Sequence, residues 1–205
     1  MLLVFTVITG IIYPVVMWGI AEAAFPSQAN GSLVQLPNGR TIGSSLLCQE
    51  FVDAKGNPLP QYFQPRPSFA IVGWGLTTVK GKYEVSGTGP DNYGCNPLYS
   101  SASNLGTNNP AQIQFVKQRQ QQIAAFDHVP VSQIPSDAVT ASGSGLDPEI
   151  SVANAGIQVD RVAAARHISP AQVDALVKKY TSGRTLGFLG EPVVNVLLEH
   201  RPVPG

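Results

Sequence analysis

The segment Leu2–Phe25 constrains the fold most, because it carries one charged residue, Glu22, among aliphatic and aromatic side chains. As a helix with a rise of ~1.5 Å per residue it extends ~36 Å, more than the ~30 Å of a bilayer's hydrocarbon core. Pro14 lies in its middle, and the carbonyl group that the proline leaves free is expected to be bonded by Thr6, by Thr9 or by a partner helix. The pattern predicts one transmembrane helix over residues 2–25.

A cleaved signal peptide is the alternative for this segment, because Ala21-Glu22-Ala23 has the A-x-A form of a cleavage site. The apolar run of about nineteen residues, however, exceeds the ~7–15 residues that a signal peptide uses, and no basic residue precedes it. These two differences favour a permanent anchor.

After Phe25 the composition changes to that of a soluble domain. Residues 26–205 contain no apolar run near the ~18 residues that a second span requires. The chain has 13 basic and 13 acidic residues and no run of Lys or Arg, which argues against nucleic acid and anionic lipid surfaces as partners. Residues 26–205 are therefore predicted to form one soluble domain.

Strand and helix patterns both occur in this domain, which predicts an α+β fold. Two helix starts are well marked: Asn109-Pro110 opens a helix over Ala111–Phe126, and Ser169-Pro170-Ala171-Gln172 is a capping box. Residues 69–110 are rich in Gly, Ser and Asn and are interpreted as a loop-rich insertion, with strands at Ala70–Val72, Thr77–Val79 and Tyr83–Val85 as the alternative. The other predicted elements are strands at Leu33–Leu36 and Arg40–Ile42 and helices over Ser151–Gly156, over Val159–His167 and from Glu191-Pro192 through Leu198.

The helix Ala111–Phe126 is predicted to be amphipathic. Ile113, Val116, Ile123 and Phe126 fall near one face and are assigned to the core. The solvated residues of the other faces are Lys117, Gln118, Arg119, Gln121 and Gln122.

A loop of small residues between Thr140 and Asp147 is the candidate contact site. It is predicted to follow a strand end and to lead into a helix, with Asp147 as N-cap, Pro148 at the first helical position and Glu149 in the first turn. Helix amides and a Gly/Ser backbone allow a ligand or partner to approach closely. The candidate residues are Thr140, Ser142, Gly143, Ser144, Gly145 and Asp147.

No residue pattern predicts catalysis or metal binding. Thr140 stands where a G-x-S-x-G nucleophile at Ser142 would need glycine, and no Lys-Ser/Thr pair follows the glycines as in a phosphate-binding loop. His128, His167 and His200 lie far apart and are interpreted as exposed or capping residues. The residues predict an anchored, non-enzymatic domain without a cofactor or metal of its own.

The two cysteines, Cys48 and Cys95, bear on the side of the membrane that the domain occupies. In an oxidising compartment an even pair forms a disulfide, while the alternative is two unrelated buried thiols. Flanking charges decide nothing, since the first basic residue is Arg40. The short amino end and the cysteine pair favour a domain outside the cytoplasm.

Several separated motifs follow one another in the order of a known family. They are Gln28-Ala29-Asn30-Gly31-Ser32-Leu33, Gly43-Ser44-Ser45-Leu46-Leu47, Tyr62-Phe63-x-x-Arg66-Pro67-Ser68, Thr140-Ala141-Ser142-Gly143-Ser144-Gly145-Leu146-Asp147, Gln158-Val159-x-Arg161-Val162-Ala163 and Gly190-Glu191-Pro192-Val193-Val194-Asn195-Val196-Leu197. With these motifs the chain resembles, over nearly its whole length, the KdpC family, the C subunit of the bacterial potassium-transporting Kdp ATPase. Cys48 departs from the family, where glycine is usual, as does the long stretch Ala70–Tyr99.

The resemblance implies a single-pass subunit of the inner membrane, with its soluble domain outside the cytoplasm. Its partners would be a channel-like potassium-selecting A subunit, a P-type ATPase B subunit and a small single-span F subunit, so that ATP and potassium act at the level of the complex. The chain would stabilise assembly and catalyse nothing. The family is also described as raising the ATP affinity of the B subunit through a glutamine, which corresponds here to Gln158.

The alternative function is a free-standing, membrane-anchored extracytoplasmic binding protein. In that case the loop from Thr140 to Asp147 would be its ligand site. Co-purification of a P-type ATPase and a channel-like protein with this chain would separate the two hypotheses.

Overall fold

The computed structural model describes residues 1–70, 72–88 and 95–199. Two units pack separately, Met1–Leu46 and Leu47–Gly205. Helices and strands are both present, so the predicted mixed fold class is confirmed. The predicted division, a span at residues 2–25 and a domain at residues 26–205, separates residues in lipid from residues in water. It is a different division from the one by packing, and it stays a prediction.

Helix α1 (Leu2–Ala24) is long and apolar enough to cross a membrane by length and composition. Ahead of Pro14 it widens into a π-turn over Ile8–Ile12, in which the Tyr13 N–H donates to the carbonyl of Ile8. A π-turn is one way in which a helix absorbs a residue without an N–H. The expected role of the threonines was wrong, because Thr9 and Thr6 donate to carbonyls within their own preceding turns.

The rest of the first unit is a short helix α2 (Pro26–Ala29) and a two-stranded hairpin. Strands β1 (Leu33–Gln35) and β2 (Thr41–Ser44) pair antiparallel, with Leu33 opposite Ser44 and a bulge after Val34. Gly39 takes a φ of 78° in the turn between them. The predicted pair of strands around Pro37-Asn38-Gly39 is confirmed.

A three-stranded antiparallel sheet lies at the core of the second unit, in the order β5 (Glu149–Ser151), β7 (Val193–Asn195), β6 (Thr181–Ser182). Two predicted helices are wrong here, the one expected to start at Asp147-Pro148 and the one expected from Glu191-Pro192. Ile150 pairs directly with Val194, and both are 1% exposed or less. Burial of these two side chains across the ladder outweighs the local helix-start signals.

Helix formation begins instead at Ser151, whose hydroxyl accepts the N–H of Asn154. The resulting helix α5 (Val152–Arg166) is continuous, so the expected break at Gly156 was wrong. Helix α6 (Pro170–Lys179) carries the predicted capping box at Ser169, which is confirmed. Both α5 and α6 pack on the sheet through one apolar cluster: Phe63, Ile150, Ala155, Val159, Val162, Ala163, Val173, Val177, Val194 and Val196. A last short helix α7 (Val196–Glu199) follows β7.

Helix α3 (Pro110–Asp127) starts and ends within one residue of the predicted bounds, and Asn109 caps it. Its predicted buried face was right for Ile123, which is 6% exposed, and wrong at two other positions. Ile113 is 44% exposed, whereas Arg119, assigned to solvent, is 2% exposed. The buried residues repeat every four positions: Ala111, Phe115, Arg119, Ile123 and Asp127.

Arg119 is buried because its guanidinium has partners there. Its Nη1 donates to the carbonyl of Val139 at 3.0 Å, and the group lies 5.2 Å from the ring centre of Phe69. Val139 ends the short helix α4 (Ser136–Val139), which follows a 3₁₀ turn at Val131–Gln133. The strand end expected at this point was therefore wrong.

Part of the predicted loop-rich insertion is a β-hairpin, so that interpretation was wrong. Strands β3 (Val72–Val79) and β4 (Lys82–Thr88) pair antiparallel around Lys80 and Gly81, whose φ angles are 49° and 75°. The side-chain amide of Gln114 exchanges two hydrogen bonds with the backbone of Tyr83 and so ties β4 to α3. Ile71 and residues 89–94 lie outside the described residues.

The base of this hairpin is joined to the rest of the unit by a disulfide between Cys48 and Cys95, with Cα atoms 6.0 Å apart. A parallel bridge pairs Ala70 with Cys95, and the N–H of Cys48 donates to the carbonyl of Leu146 at 2.9 Å. The disulfide therefore closes a long loop around the hairpin.

We predict that replacing both cysteines, Cys48→Ser with Cys95→Ser, lowers the free energy of unfolding. Closing a loop of 47 residues removes entropy from the unfolded chain, and the stabilisation is ~4 kcal/mol on the chain-entropy estimate. Urea unfolding of the purified full chain in detergent measures the difference. Dithiothreitol should reproduce it in the wild type and change nothing in the double variant, and equal stability of the two proteins would contradict the prediction.

Candidate functional site

Gln158 lies on the buried side of α5 and is 3% exposed. Its Oε1 accepts the N–H of Gln64 at 2.7 Å and Nη2 of Arg161 at 2.7 Å. Its Nε2 donates to the carbonyl of Gln64 at 3.2 Å and to Oδ1 of Asn154 at 3.0 Å. A glutamine amide has two donors and two acceptor positions, so all four are used inside the protein.

Arg161, one turn further along α5, holds the same region together. Its Nε donates to Oδ1 of Asp127 at 2.6 Å, with both side chains 5% exposed or less. Its Nη1 donates to the carbonyls of Pro60 at 2.6 Å and Tyr62 at 2.9 Å, and the ring of Phe126 lies 4.4 Å away. One guanidinium thus joins α5, the end of α3 and the irregular segment around residue 60.

Asp137 of α4 extends these contacts to the start of α5. Its carboxylate accepts the N–H and the hydroxyl of Ser151, each at 2.8 Å, and Nδ2 of Asn154 at 3.1 Å. Asn154 in turn accepts from Gln158. We call the set Asp127, Asp137, Asn154, Gln158 and Arg161 the buried polar network.

A small cavity of ≈ 10 Å³ borders the buried polar network, lined by Gln64, Asp127, Asn154 and Gln158 among others. Such a volume holds about one water molecule. The Oε1 of Gln64 is buried and has no hydrogen-bond partner within the described part of the protein. The cavity is far too small for a nucleotide.

The loop Thr140–Asp147 is packed inward around Gly145, which has a φ of +73°. The N–H of Gly145 donates to Oγ of Ser142 at 2.8 Å, and its carbonyl accepts Oγ of Ser68 at 2.7 Å. A Cβ at position 145 would lie 2.6 Å from the carbonyl oxygen of Ser101. Only glycine fits both this backbone angle and this space.

The outer residues of the loop also bond to neighbouring segments. The carbonyl of Ser144 accepts the N–H of Ser101 and the hydroxyl of Ser100, both at 3.0 Å. Ser142 and Gly145 are buried, whereas Gly143 and Ser144 are exposed. Of the candidate contact residues, these two offer the most accessible surface.

Asp147 is not an N-cap, and that prediction is wrong because Ser151 starts the helix. Its Oδ2 accepts Nη1 of Arg66 at 2.7 Å, and its Oδ1 accepts the N–H of Glu149 at 3.1 Å. Nη2 of Arg66 reaches the carbonyl of Thr140 at 3.4 Å. The pair closes the loop at both ends while staying about a quarter exposed.

Among the described residues no group of three His, Cys, Asp or Glu side chains could hold a metal. His128 and His167 each take the left-handed conformation directly after a helix, α3 and α5, with φ angles of 56° and 57°. They are helix-ending residues, as predicted. His200 lies outside the described residues.

Sequence reasoning missed four of the five members of the buried polar network. A signal was present, because Asn154, Gln158 and Arg161 follow one another at helical spacing and alternate with the core residues Val159 and Val162. Polar side chains on the buried stripe of a helix require partners, and here they indicate a network. Asp127 and Asp137 carried no such signal, since their partners are distant in sequence.

Taken together, the features define a class: an α+β domain that contains a buried polar network, in a chain that begins with a long apolar helix. The chain matches the family model "K+-transporting ATPase, c chain" over residues 1–199. It is 45% identical to the potassium-transporting ATPase KdpC subunit of Methylococcus capsulatus over 197 residues, which cover 96% of this chain and 90% of the relative. The chain belongs to the KdpC family.

Two further relatives show similar values. The KdpC subunit of Sorangium cellulosum is 45% identical over 205 residues, covering 100% of this chain and 94% of the relative. That of Herpetosiphon aurantiacus is 46% identical over 196 residues, covering 96% and 88%. Membership implies a role in the potassium-transporting ATPase complex and confirms the resemblance read from the motifs.

Gly145→Ala should destabilise the second unit by roughly 2–4 kcal/mol, because it combines backbone strain at positive φ with overpacking against Ser101. Gly143→Ala in the same loop is the matched control, since nothing lies within 4 Å of its Cβ position. Urea unfolding of both variants measures the contrast. Equal effects at the two glycines would show that the loop is not packed as described.

Glu50 supplies a pH prediction. Burial raises the pKa of its carboxyl group from 4.5 to about 7, although the carboxylate accepts the N–H of Cys95. Between these two pKa values the folded chain binds more protons than the unfolded chain, so Glu50 makes stability fall as pH rises from about 4.5 to 7. Glu50→Gln should remove this contribution. The variant's stability relative to wild type is expected to rise between pH 5 and pH 8 in urea unfolding, and a parallel pair of curves would contradict the assignment.

Proposed function

We propose that this chain is a non-catalytic subunit that stabilises the assembly of the potassium-transporting complex, holding a channel-like A subunit and a P-type ATPase B subunit together with a small F subunit. The main support for the proposal is that the side-chain amide of Gln158 has no unused hydrogen-bonding position. All four hydrogen-bonding positions of its amide are occupied within the protein, and its side chain is buried. A nucleotide has no free donor or acceptor to meet at Gln158.

The proposal places the domain outside the cytoplasm, on a single-pass anchor in the inner membrane. The disulfide between Cys48 and Cys95 supports this side, because disulfides persist in oxidising compartments and are rare in the cytosol. ATP would then lie across the membrane from Gln158. Any influence of this chain on the ATP affinity of the B subunit would pass through assembly rather than through a direct contact.

The geometry of the loop Thr140–Asp147 argues against the alternative function, a free-standing binding protein with its ligand site at this loop. Its central polar groups bond to Ser68, Ser100 and Ser101, so they are not directed at an open ligand site. Arg66 and Asp147 neutralise each other at its end. The exposed backbone at Gly143 and Ser144 suits contact with a partner surface better than capture of a small ligand.

Gln158→Ala tests the proposal. Removing the amide leaves buried groups of Gln64 and Arg161 without partners, which should cost roughly 2–4 kcal/mol of stability and lower the yield of intact complex. The ATP KM of the complex that does assemble should stay at the wild-type value. Gln121→Ala, at an exposed position of α3, is the matched control and should change neither quantity.

Two outcomes would overturn the proposal. A several-fold rise in ATP KM with full assembly retained would show that Gln158 shapes a nucleotide site. Absence of a P-type ATPase and a channel-like protein after affinity purification of the wild-type chain from native membranes would favour the free-standing binding protein instead.

A further inference from the structure

Pro14 leaves a backbone acceptor of α1 without its usual donor. In a regular α-helix the carbonyl of Thr9 would accept the N–H of Tyr13, but in the π-turn that N–H donates to the carbonyl of Ile8. The next residue, Pro14, has no N–H to donate. Neither of the residues four and five positions further on therefore donates to the Thr9 carbonyl.

The same stretch of α1 carries an unused donor. Tyr13 is 62% exposed, and its hydroxyl makes no hydrogen bond within the described part of the chain. The hydroxyls of Thr6 and Thr9 are already used, because they donate to the carbonyls of Leu2 at 3.0 Å and Phe5 at 2.7 Å. Tyr13 follows Thr9 by four residues, so both lie near one face of the helix. We call the Thr9 carbonyl and the Tyr13 hydroxyl the polar pair of α1.

Depth in a membrane restricts what can satisfy the polar pair. Thr9 follows Leu2 by seven residues, ~10 Å along the axis, which places it inside a hydrocarbon core of ~30 Å. Lipid tails carry no donors or acceptors, and an unsatisfied backbone group in lipid costs free energy. The occupant must therefore bring a donor to Thr9 and an acceptor to Tyr13. Nothing lies within 4 Å of the Cβ position of Gly10, so another helix can approach closely there.

A second copy of this chain meets both requirements through symmetry. Two copies insert in the same direction, so a two-fold axis along the membrane normal keeps each residue at equal depth in both. Helical side chains lean back toward the amino end, which brings the Tyr13 hydroxyl of one copy to about the depth of the Thr9 carbonyl of the other. Trp18 also carries a donor, but it lies nine residues, ~13 Å, beyond Thr9. A different subunit would have to match the donor and the acceptor independently.

We propose that α1 pairs with α1 of a second copy of this chain around Gly10, with the Tyr13 hydroxyl of each copy donating to the Thr9 carbonyl of the other. The two hydrogen bonds are equivalent, so one arrangement satisfies the polar pairs of both copies. This inference rests on the proposed function, because it requires α1 to lie in a membrane. It goes beyond that function in adding a second copy of the chain to the partners.

Tyr13→Phe removes the donor and keeps the ring. Self-association of the full chain, measured by Förster transfer between labelled copies in phosphatidylcholine vesicles, should weaken about ten-fold, because two hydrogen bonds inside a membrane are lost. Thr6→Val is the matched control, since it deletes a hydroxyl that is already used within its own turn. This control should associate like the wild type. Undiminished association of Tyr13→Phe, or an equal loss in Thr6→Val, would refute the pairing.

Pro14→Ala tests the backbone acceptor separately from general packing. Alanine restores an N–H at position 14, so the π-turn can revert to α-helix and the Tyr13 N–H can return to the Thr9 carbonyl. The variant should associate about ten-fold more weakly although its helix is more regular, and adding Tyr13→Phe should cause no further loss. Additive losses, or undiminished association of Pro14→Ala, would contradict a bond at Thr9.

Photo-crosslinking of the full chain in native membranes identifies the occupant. With p-benzoylphenylalanine at position 17, one turn beyond Tyr13, irradiation should give an adduct of twice the chain mass. The same residue at position 15, on the other side of the helix, is the matched control and should not, although Val15 is 60% exposed and Met17 44%. Adducts at position 17 with another subunit only, with lipid only, or with nothing would overturn the proposal.

The same membranes keep the two proposals apart. If no P-type ATPase co-purifies with the wild-type chain, the proposed function has failed, and a self-adduct at position 17 would still support the pairing. Co-purification of the ATPase without a self-adduct at that position refutes the pairing alone.

Discussion

The buried ion pair between Arg161 and Asp127 is the interaction on which the second unit depends. A pair with side chains 5% exposed or less gains little net free energy by itself, because both charges lose their hydration. Its value here comes from the other donors of the guanidinium. They satisfy the carbonyls of Pro60 and Tyr62, which belong to a segment without strand or helix partners.

The same requirement explains the glutamine at position 158. The backbone of Gln64 passes α5 where no neighbouring strand can bond it, and the Gln158 amide supplies both the acceptor and the donor that a strand would have supplied. Asp137 likewise accepts the N–H of Ser151, and the hydroxyl of Ser151 caps the start of α5. The buried polar network therefore supplies, to backbone without regular secondary structure, the hydrogen bonds that a neighbouring strand supplies in a sheet. This requirement accounts for the polar residues at core positions without invoking catalysis.

Around the loop Thr140–Asp147 the second unit uses a different device. Gly145 lets two backbone segments approach, the disulfide fixes the hairpin base beside it, and Arg66 closes the end through Asp147. The result is a firm platform whose exposed parts are backbone at Gly143 and Ser144. Such a surface can contact a partner without reorganising, and this agrees with the assembly role proposed above.

The sequence by itself determined the features that depend on local chemistry: the apolar span, the capped starts of α3 and α6, the first hairpin, and family membership through ordered motifs. The tertiary structure decided the features that depend on distant partners. Ile150 is a strand residue because it pairs with Val194. Arg119 is buried because its guanidinium contacts the Phe69 ring and donates to the carbonyl of Val139. Gln158 is buried and fully hydrogen-bonded because the backbone of Gln64 lies beside it. Local sequence patterns cannot predict these outcomes, since the free energy that decides them comes from contacts with groups 20 to 94 residues away in the chain.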